Sequence, residues 1–386
     1  MPEFVQIFPS IRTFQLVGYF GMRHDELENL VWGCPGIQSL SMKNCYDVKD
    51  AGLLALAQGL PHLRTLHMLQ VKFDTALSPG GILRFAELRG QGLSELSLPL
   101  PSTFTHQHFQ DLLAFCPNLL VTSFSFMKQQ TDQAMTTALD FVLPETMMKH
   151  ITLKNMPSAW VGPFTRTIAA NVQTLLLTEC VGLSLDQIRD TVKECSSLEE
   201  LRLHLCCCAQ GLAMTSTKGQ VAVGSVVSHT VKHLTLQFCQ KVDFTAKNMA
   251  RKVLELCPGV RRMQFWEGLK VYPVALLQNR LPCMEELEIY KCSLLSTSVR
   301  SAASPTTTSG AFPNLNSITF KECKNVSDRL LTVMAELSPR LSHLLVSCAW
   351  RVAVMLGPHA PEEDPTTGEC LPTFGGLRRL LGRVEA

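Results

Sequence analysis

An α/β solenoid is the fold class this sequence predicts, with a parallel sheet on one side and helices on the other. Three observations predict it. A short apolar phrase recurs along the whole chain, a helix-like block follows the phrase, and cysteines hold fixed places relative to it.

The phrase reads apolar-x-x-apolar-x-apolar. It runs as IRTFQL from Ile11, IQSLSM from Ile37, LRTLHM from Leu63 and LSELSL from Leu93. VTSFSF, MKHITL, VQTLLL and LEELRL follow from Val121, Met148, Val172 and Leu198. VKHLTL, VRRMQF, MEELEI, LNSITF and LSHLLV start at Val231, Val260, Met284, Leu315 and Leu341, and a poorer LRRLLG starts at Leu377. These fourteen copies stand 24 to 36 residues apart, a regularity that marks a repeat architecture.

Each part of the unit has a physical reading. Apolar residues two apart, as at Leu201 and Leu203, share one face of an extended strand. Leu198, three residues earlier, turns into the same interior. The block DAGLLALAQGL, from Asp50 to Leu60, places Leu53, Leu54, Ala57 and Leu60 at helical spacing. One strand and one helix cannot bury their inner faces alone, so stacked neighbours complete a common core. The expected product is a leucine-rich-repeat horseshoe of about fourteen repeats, with a concave parallel β-sheet and convex helices. One domain is expected over residues 1–386, with looser insertions near 207–230, 293–312 and 357–373. The second of these is Ser/Thr-rich and reads as a tolerated insertion or a phosphorylation loop. Pro358, Pro361 and Pro365 oppose helix in the third.

The run LEELRLHLCCC, Leu198 to Cys208, poses a choice between a metal or redox centre and the repeat. The repeat answers it. A cysteine falls three residues beyond the last strand apolar position at Cys45, Cys180, Cys206, Cys239, Cys292 and Cys323. A second set precedes the strand as Cys-x-x-apolar, at Cys34, Cys116, Cys195 and Cys257. Small, weakly polar side chains suit such buried places. No Cys-x-x-Cys pair of the zinc-binding kind occurs, so neither metal nor cofactor is expected.

Composition narrows the function classes. Charged residues make up 18% of the chain, below the roughly 25% of an average soluble domain, so many positions face protein. A formal charge of +2 argues against bulk nucleic acid as partner. No stretch approaches the ~18 apolar residues of a membrane helix, and the N-terminus lacks a secretory pattern. Fifteen cysteines, an odd number, argue for a reducing compartment, cytoplasmic or nuclear. No nucleophile elbow, phosphate loop or His-Glu-x-x-His is present, and an enzyme is not expected.

The phrases LSMKNCYDVKDAGLLALA, LTLQFCQKVDFTAKNMA and ITFKECKNVSDRLLTVMAEL resemble the cysteine-containing class of leucine-rich repeats. There a cysteine follows the strand, then an aliphatic residue, then often an aspartate that opens the helix. Val48 with Asp50, Leu183 with Asp186 and Val326 with Asp328 match, and the three aspartates are expected helix N-caps. That class is typical of the F-box leucine-rich-repeat proteins, the substrate receptors of SCF-type (cullin) ubiquitin ligases. The resemblance implies a protein-interaction scaffold in ubiquitin-dependent degradation. No F-box is visible: the first repeat begins at Ile11, and LPETMMKHI at Leu143 lies in the repeat frame. Skp adaptor and cullin are therefore expected partners only through an F-box in a longer product. A non-ligase adaptor or regulatory scaffold is the alternative.

The residues between the strand apolar positions point to the concave face, where a protein partner is expected. Column by column they are Glu200, His233, Arg262 and Glu286; then Arg202, Thr235, Gln264 and Glu288; then His204, Gln237, Trp266 and Tyr290. A Trp beside a Tyr, with Arg262 nearby, is the kind of cluster on which binding energy concentrates. The same charges would also serve simply to solvate the sheet. Early strands carry Thr13, Ser39, Thr65, Gln15, Ser41 and Ser97, and that face is expected to be small and weakly polar.

Overall fold

The computed structural model describes residues 10–18, 24–45, 48–69, 77–127, 147–180, 183–204, 228–237, 244–266, 270–271, 281–294, 312–323, 326 and 328–347. The chain divides into two compact units, Met1–Val181 and Gly182–Ala386. The fourteenth copy at Leu377, Cys206 to Cys208, Cys239 and most of the three insertions lie outside the described residues.

In the first unit, strands and helices alternate as the repeat dictates. The order is β1 (Thr13–Val17), α1 (His24–Gly33), β2 (Ser39–Lys43), α2 (Asp50–Gly59), β3 (Thr65–Leu69), α3 (Pro79–Arg89) and β4 (Glu95–Leu100). It continues with α4 (His106–Phe115), β5 (Val121–Phe126), β6 (His150–Lys154), α5 (Ser158–Ile168) and β7 (Thr174–Thr178). The seven strands form a parallel sheet in chain order. The second unit holds α6 (Leu185–Glu194), β8 (Glu200–His204), β9 (His233–Gln237), α7 (Phe244–Leu256) and β10 (Arg262–Trp266). Then come β11 (Lys270–Val271), β12 (Glu286–Tyr290), β13 (Ser293–Leu294), β14 (Ser317–Lys321), α8 (Asp328–Leu337) and β15 (His343–Ser347). Its main sheet, also parallel, runs β8, β9, β10, β12, β14, β15. The architecture is a leucine-rich-repeat solenoid. Ser293 and Leu294, expected at the start of an insertion, form β13, which pairs with β11.

Strand alternation builds the core. Leu198, Leu201 and Leu203 are buried, as are Ile37, Leu40 and Met42, and Leu315, Ile318 and Phe320. The helices close the other side. In α2 the buried residues are Leu53, Leu56 and Ala57, with Leu60 buried at its C-cap, while Leu54 is only half-buried. That is the i, i+3, i+4, i+7 stripe; Leu53, Ala57 and Leu60 fall as expected, and Leu56 takes the place of Leu54. In the first unit Phe109 of α4 anchors an aromatic core, 5.3 Å from Phe124, 5.5 Å from Phe126 and 5.4 Å from Phe164.

Among the described residues, the turns after six strands share one backbone arrangement. The residue following the strand is left-handed at Gly18, Asn44, Asn155, Glu179, Lys291 and Glu322. Its amide then points along the sheet: Gly18 donates to Lys43 O at 2.9 Å, Asn155 to Thr178 O at 2.8 Å and Lys291 to Lys321 O at 2.9 Å. The cysteine comes next and finishes the turn. The Cys323 thiol donates to Ile289 O in the preceding repeat at 3.2 Å and to Lys321 O at 3.4 Å. Cys45 and Cys180 make the same two bonds, each reaching back one repeat, to Leu16 O and Leu153 O. The thiol thus adds a second donor to a strand-end carbonyl that already accepts a backbone N–H, and reaches one carbonyl of the preceding repeat.

The aspartate caps require correction. Lys49 is the N-cap of α2 and makes no side-chain cap bond; Asp50 is already helical. Ser184 caps α6 in a reciprocal box with Gln187, and Asp186 instead pairs with Arg189 at 2.6 Å. Among the described helix starts, serine and threonine do the capping: Ser78 for α3 and Thr105 for α4 as well. Asp328 opens α8, and its side chain lies outside the described set.

Candidate protein-binding face

In-register parallel pairing sets every candidate residue beside its counterpart in the next repeat. Glu200 pairs with His233, His233 with Arg262, and Arg262 with Glu286. The middle column runs Arg202, Thr235, Gln264, Glu288, and the third runs His204, Gln237, Trp266, Tyr290. All twelve belong to the second unit. They point to the sheet face opposite the buried leucines, because successive side chains alternate.

The third column carries the aromatic pair. Trp266 and Tyr290 stack with ring centroids 4.5 Å apart and planes 16° from parallel, close to the strand spacing itself. Trp266 remains 36% exposed. Lys321, the next residue in that column, places its ammonium 5.2 Å from the Tyr290 ring centre and 3.4 Å from its hydroxyl. A cation thus sits at the hydroxyl end of the tyrosine, on the side away from Trp266. Reading the column one strand further in the sequence finds Lys321.

A polar relay in the middle column orients the stack. Thr235 Oγ1 donates to Gln264 Oε1 at 3.2 Å, and Gln264 Nε2 donates to Glu288 Oε2 at 3.0 Å. The Tyr290 hydroxyl donates to that same oxygen at 2.6 Å. Burial, then the bond to Glu288 and its charge, push the Tyr290 phenol up to about 12. It keeps its proton and its place. On the flank, burial and then the Arg202 guanidinium push the His204 imidazole below its usual range, so it is neutral at pH 7.

Charges around the stack come in pairs. Arg262 meets Glu286 at 3.0 Å and Arg202 meets Glu200 at 2.6 Å. Where the strands begin, Lys232 meets Glu199 at 3.1 Å and Arg261 meets Glu285 at 3.4 Å. Opposite signs on neighbouring repeats produce three of these and opposite signs within β8 the fourth, and each exposed pair is worth little in stability, at most about 1 kcal/mol. His233 and Gln237 lie half-buried on β9 between these groups.

The face of the first unit is less bland than its small residues imply. His67 Nδ1 stands 2.8 Å from Ser97 Oγ and its Nε2 stands 3.2 Å from Glu95 Oε2. The order Ser–His–Glu looks catalytic, but Ser97 is buried and the amides around it serve the parallel ladders to β3 and β5. It is a hydrogen-bonded strut across two strands. Among the described residues, no group of three or more His, Cys, Asp or Glu is placed to hold a metal. No described helix is long and apolar enough to cross a membrane.

No family model matches the chain, and no curated protein matches it either. Three solved structures are similar at the level of the chain trace. The yeast Rad7 and Elc1 complex has a chain 15% identical, with 92% of this chain and 82% of that one covered, at a TM-score of 0.47. The leucine-rich-repeat protein LegL7 from Legionella pneumophila is 11% identical, with 96% and 97% covered, at 0.43. A chain of the TLR13–ssRNA13 complex is 13% identical, with 86% and 44% covered, at 0.45. The repeat architecture of this protein rests on its own strand order and register.

Proposed function

We propose that this protein is a protein-interaction scaffold that captures its partner on the open sheet face of the second unit. The observation that carries this reading is the Trp266–Tyr290 stack, with the tryptophan left exposed. Large rings in solvent are unfavourable unless something covers them, and such rings dominate the energy of interfaces. Preorganisation supports it: the Thr235–Gln264–Glu288 relay holds Tyr290 before any partner arrives, which lowers the ordering cost of binding.

The finer reading is the substrate-recognition part of a cullin ubiquitin ligase, acting in the cytoplasm or nucleus. It is supported by the cysteine-containing repeat, whose thiols at Cys45, Cys180 and Cys323 link adjacent repeats. Skp adaptor and cullin would join through an F-box carried by a longer product. Affinity purification with mass spectrometry, from cells expressing the full transcript, tests this. Adaptor and cullin subunits recovered with a degraded substrate are expected. A reproducible partner without them would leave a scaffold outside the ligase.

A further inference from the structure

The reading of the second unit's open face as a docking surface can be taken to the chemistry of its occupant. We infer that the partner seats an uncharged, apolar protein segment against the exposed part of Trp266, and that the surrounding charges contribute little attraction. The inference rests on the proposed binding role of that face.

Strand order decides which ring surface is open. β12 lies between β10 and β14, so Trp266 and Lys321 sit on opposite sides of Tyr290. Tyr290 is therefore flanked on one side by Trp266 and on the other by Lys321. Trp266 is covered on the side toward β12, and its other side looks toward Gln237 on β9. The stack ends there, and 36% of Trp266 is exposed.

The charges around that face are already matched. Arg262 holds Glu286, Arg202 holds Glu200, and Lys321 reaches the Tyr290 hydroxyl, whose proton is given to Glu288. Two ion pairs, Arg262–Glu286 and Arg202–Glu200, flank the face, and the Tyr290 hydroxyl stands between Lys321 and Glu288. A phosphate or an acidic peptide would bring Glu286 or Glu288 close to its own negative charge. Stacking platforms for single-stranded nucleic acid instead combine aromatics with unmatched cations along a groove. A basic segment meets the converse problem, since Arg202, Arg262 and Lys321 stand around the same face. What the site offers without rearrangement is apolar area and ring surface. An aliphatic or aromatic side chain, carried on a segment near neutrality, fits that offer.

The test pans a displayed library of random peptides against the full chain, with the Trp266→Ala, Tyr290→Ala double variant as counter-target. Peptides that need the aromatics are synthesised, and their Kd is measured at about 50 and 500 mM salt. Enriched sequences near zero net charge, with Leu, Ile, Val, Phe or Trp anchors, are expected. Their Kd should change less than about threefold between the two salts. A fluorescent single-stranded uridine oligonucleotide, run in parallel, should not compete. Enriched peptides that need both aromatics but carry strong net charge, or a Kd weakened more than about tenfold by salt, would overturn the inference while the docking face stood. Oligonucleotide binding that needs Trp266 would overturn it as well. Failure to enrich any peptide over the double variant would remove the docking face itself.

Discussion

The carboxylate of Asp50 accepts two hydrogen bonds from Ser78 in the following repeat, from its N–H at 2.8 Å and from its hydroxyl at 2.5 Å. The Ser78 hydroxyl oxygen in turn accepts the Gly81 N–H at 3.1 Å and caps α3. Gly81 fits because a Cβ there would overlap the Asp50 carboxylate. The first turn of one helix thus sets the start of the next.

Breaking that relay should loosen two repeats together. Asp50→Ala is expected to cost about 1–2 kcal/mol, in the range of a lost helix cap, and Asp50→Asn less. Gly81→Ala should also destabilise, through the clash with Asp50 and not through helix propensity, which favours alanine. Urea midpoints of the three variants check this; a Gly81→Ala protein more stable than the parent would show that the contact is not tight.

The left-handed turn residues make a second prediction. Lys291 sits at φ 50°, a region where a Cβ costs of order 1 kcal/mol. Lys291→Gly should keep or raise the urea midpoint, although glycine normally destabilises. Lys291→Val should lower it, because branching at Cβ makes that backbone conformation worse. Equal effects of the two would mean the turn is not held left-handed in solution.

A third concerns the strand interior. Leu201 is buried on β8, beside Leu234 of β9. Leu201→Ala should cost about 2–5 kcal/mol by equilibrium unfolding, the span typical of buried leucine truncations. An unchanged transition would mean the repeat frame at Leu198 is misassigned.

The buried thiols predict how stability responds to pH. Burial pushes Cys116 and Cys257 up to about 12, and burial with the nearby Glu194 does the same for Cys195, all from 9.0. The folded chain therefore holds these protons more tightly than the unfolded one. Their contribution is fully present below pH 9 and should be lost as pH rises from about 9 toward 12. Urea midpoints between pH 8 and 11 should fall accordingly. At pH 8 a thiol reagent should label exposed Cys283 quickly, and Cys116, Cys195 and Cys257 only after unfolding, as read by a peptide map. Elemental analysis should find no stoichiometric zinc.

Much of this architecture was legible because the repeat is local and its register is not shifted. One copy per strand, paired without stagger, makes a column in the sequence a row in space, so Glu200, His233, Arg262 and Glu286 follow from counting alone. Where counting was replaced by residue type, the reading slipped. Asp50 and Asp186 have the composition of caps, but Asp50 stands one residue and Asp186 two residues past the N-cap. Lys49 and Ser184 occupy that place instead. The partner of Asp50 is Ser78, 28 residues on, across a repeat boundary that no local rule addresses. His67 and Glu95 were legible in their columns and were outweighed by the serines and threonines around them. Lys321 lay one strand beyond the point where the aromatic column was followed. It is the residue that closes the stack.

The last prediction separates binding from folding at that stack. Trp266 and Tyr290 are on the face opposite the core, so removing both leaves Met263, Phe265, Leu287 and Ile289 buried as before. Trp266→Ala with Tyr290→Ala should therefore shift the urea midpoint little while abolishing capture of the partner, a loss of at least about 2 kcal/mol for a central anchor, or roughly thirtyfold in Kd. Tyr290→Phe should fall between, since it keeps the ring but frees Glu288 from one donor. The control must avoid Ser97, which is buried and bonded to His67. Ser39→Ala with Ser123→Ala uses half-buried hydroxyls on the first unit's sheet and should change neither property. If the double aromatic variant unfolds as readily as Leu201→Ala, the rings are structural and the docking face lies elsewhere. If it folds and still captures the partner at parental affinity, the stack is not the anchor.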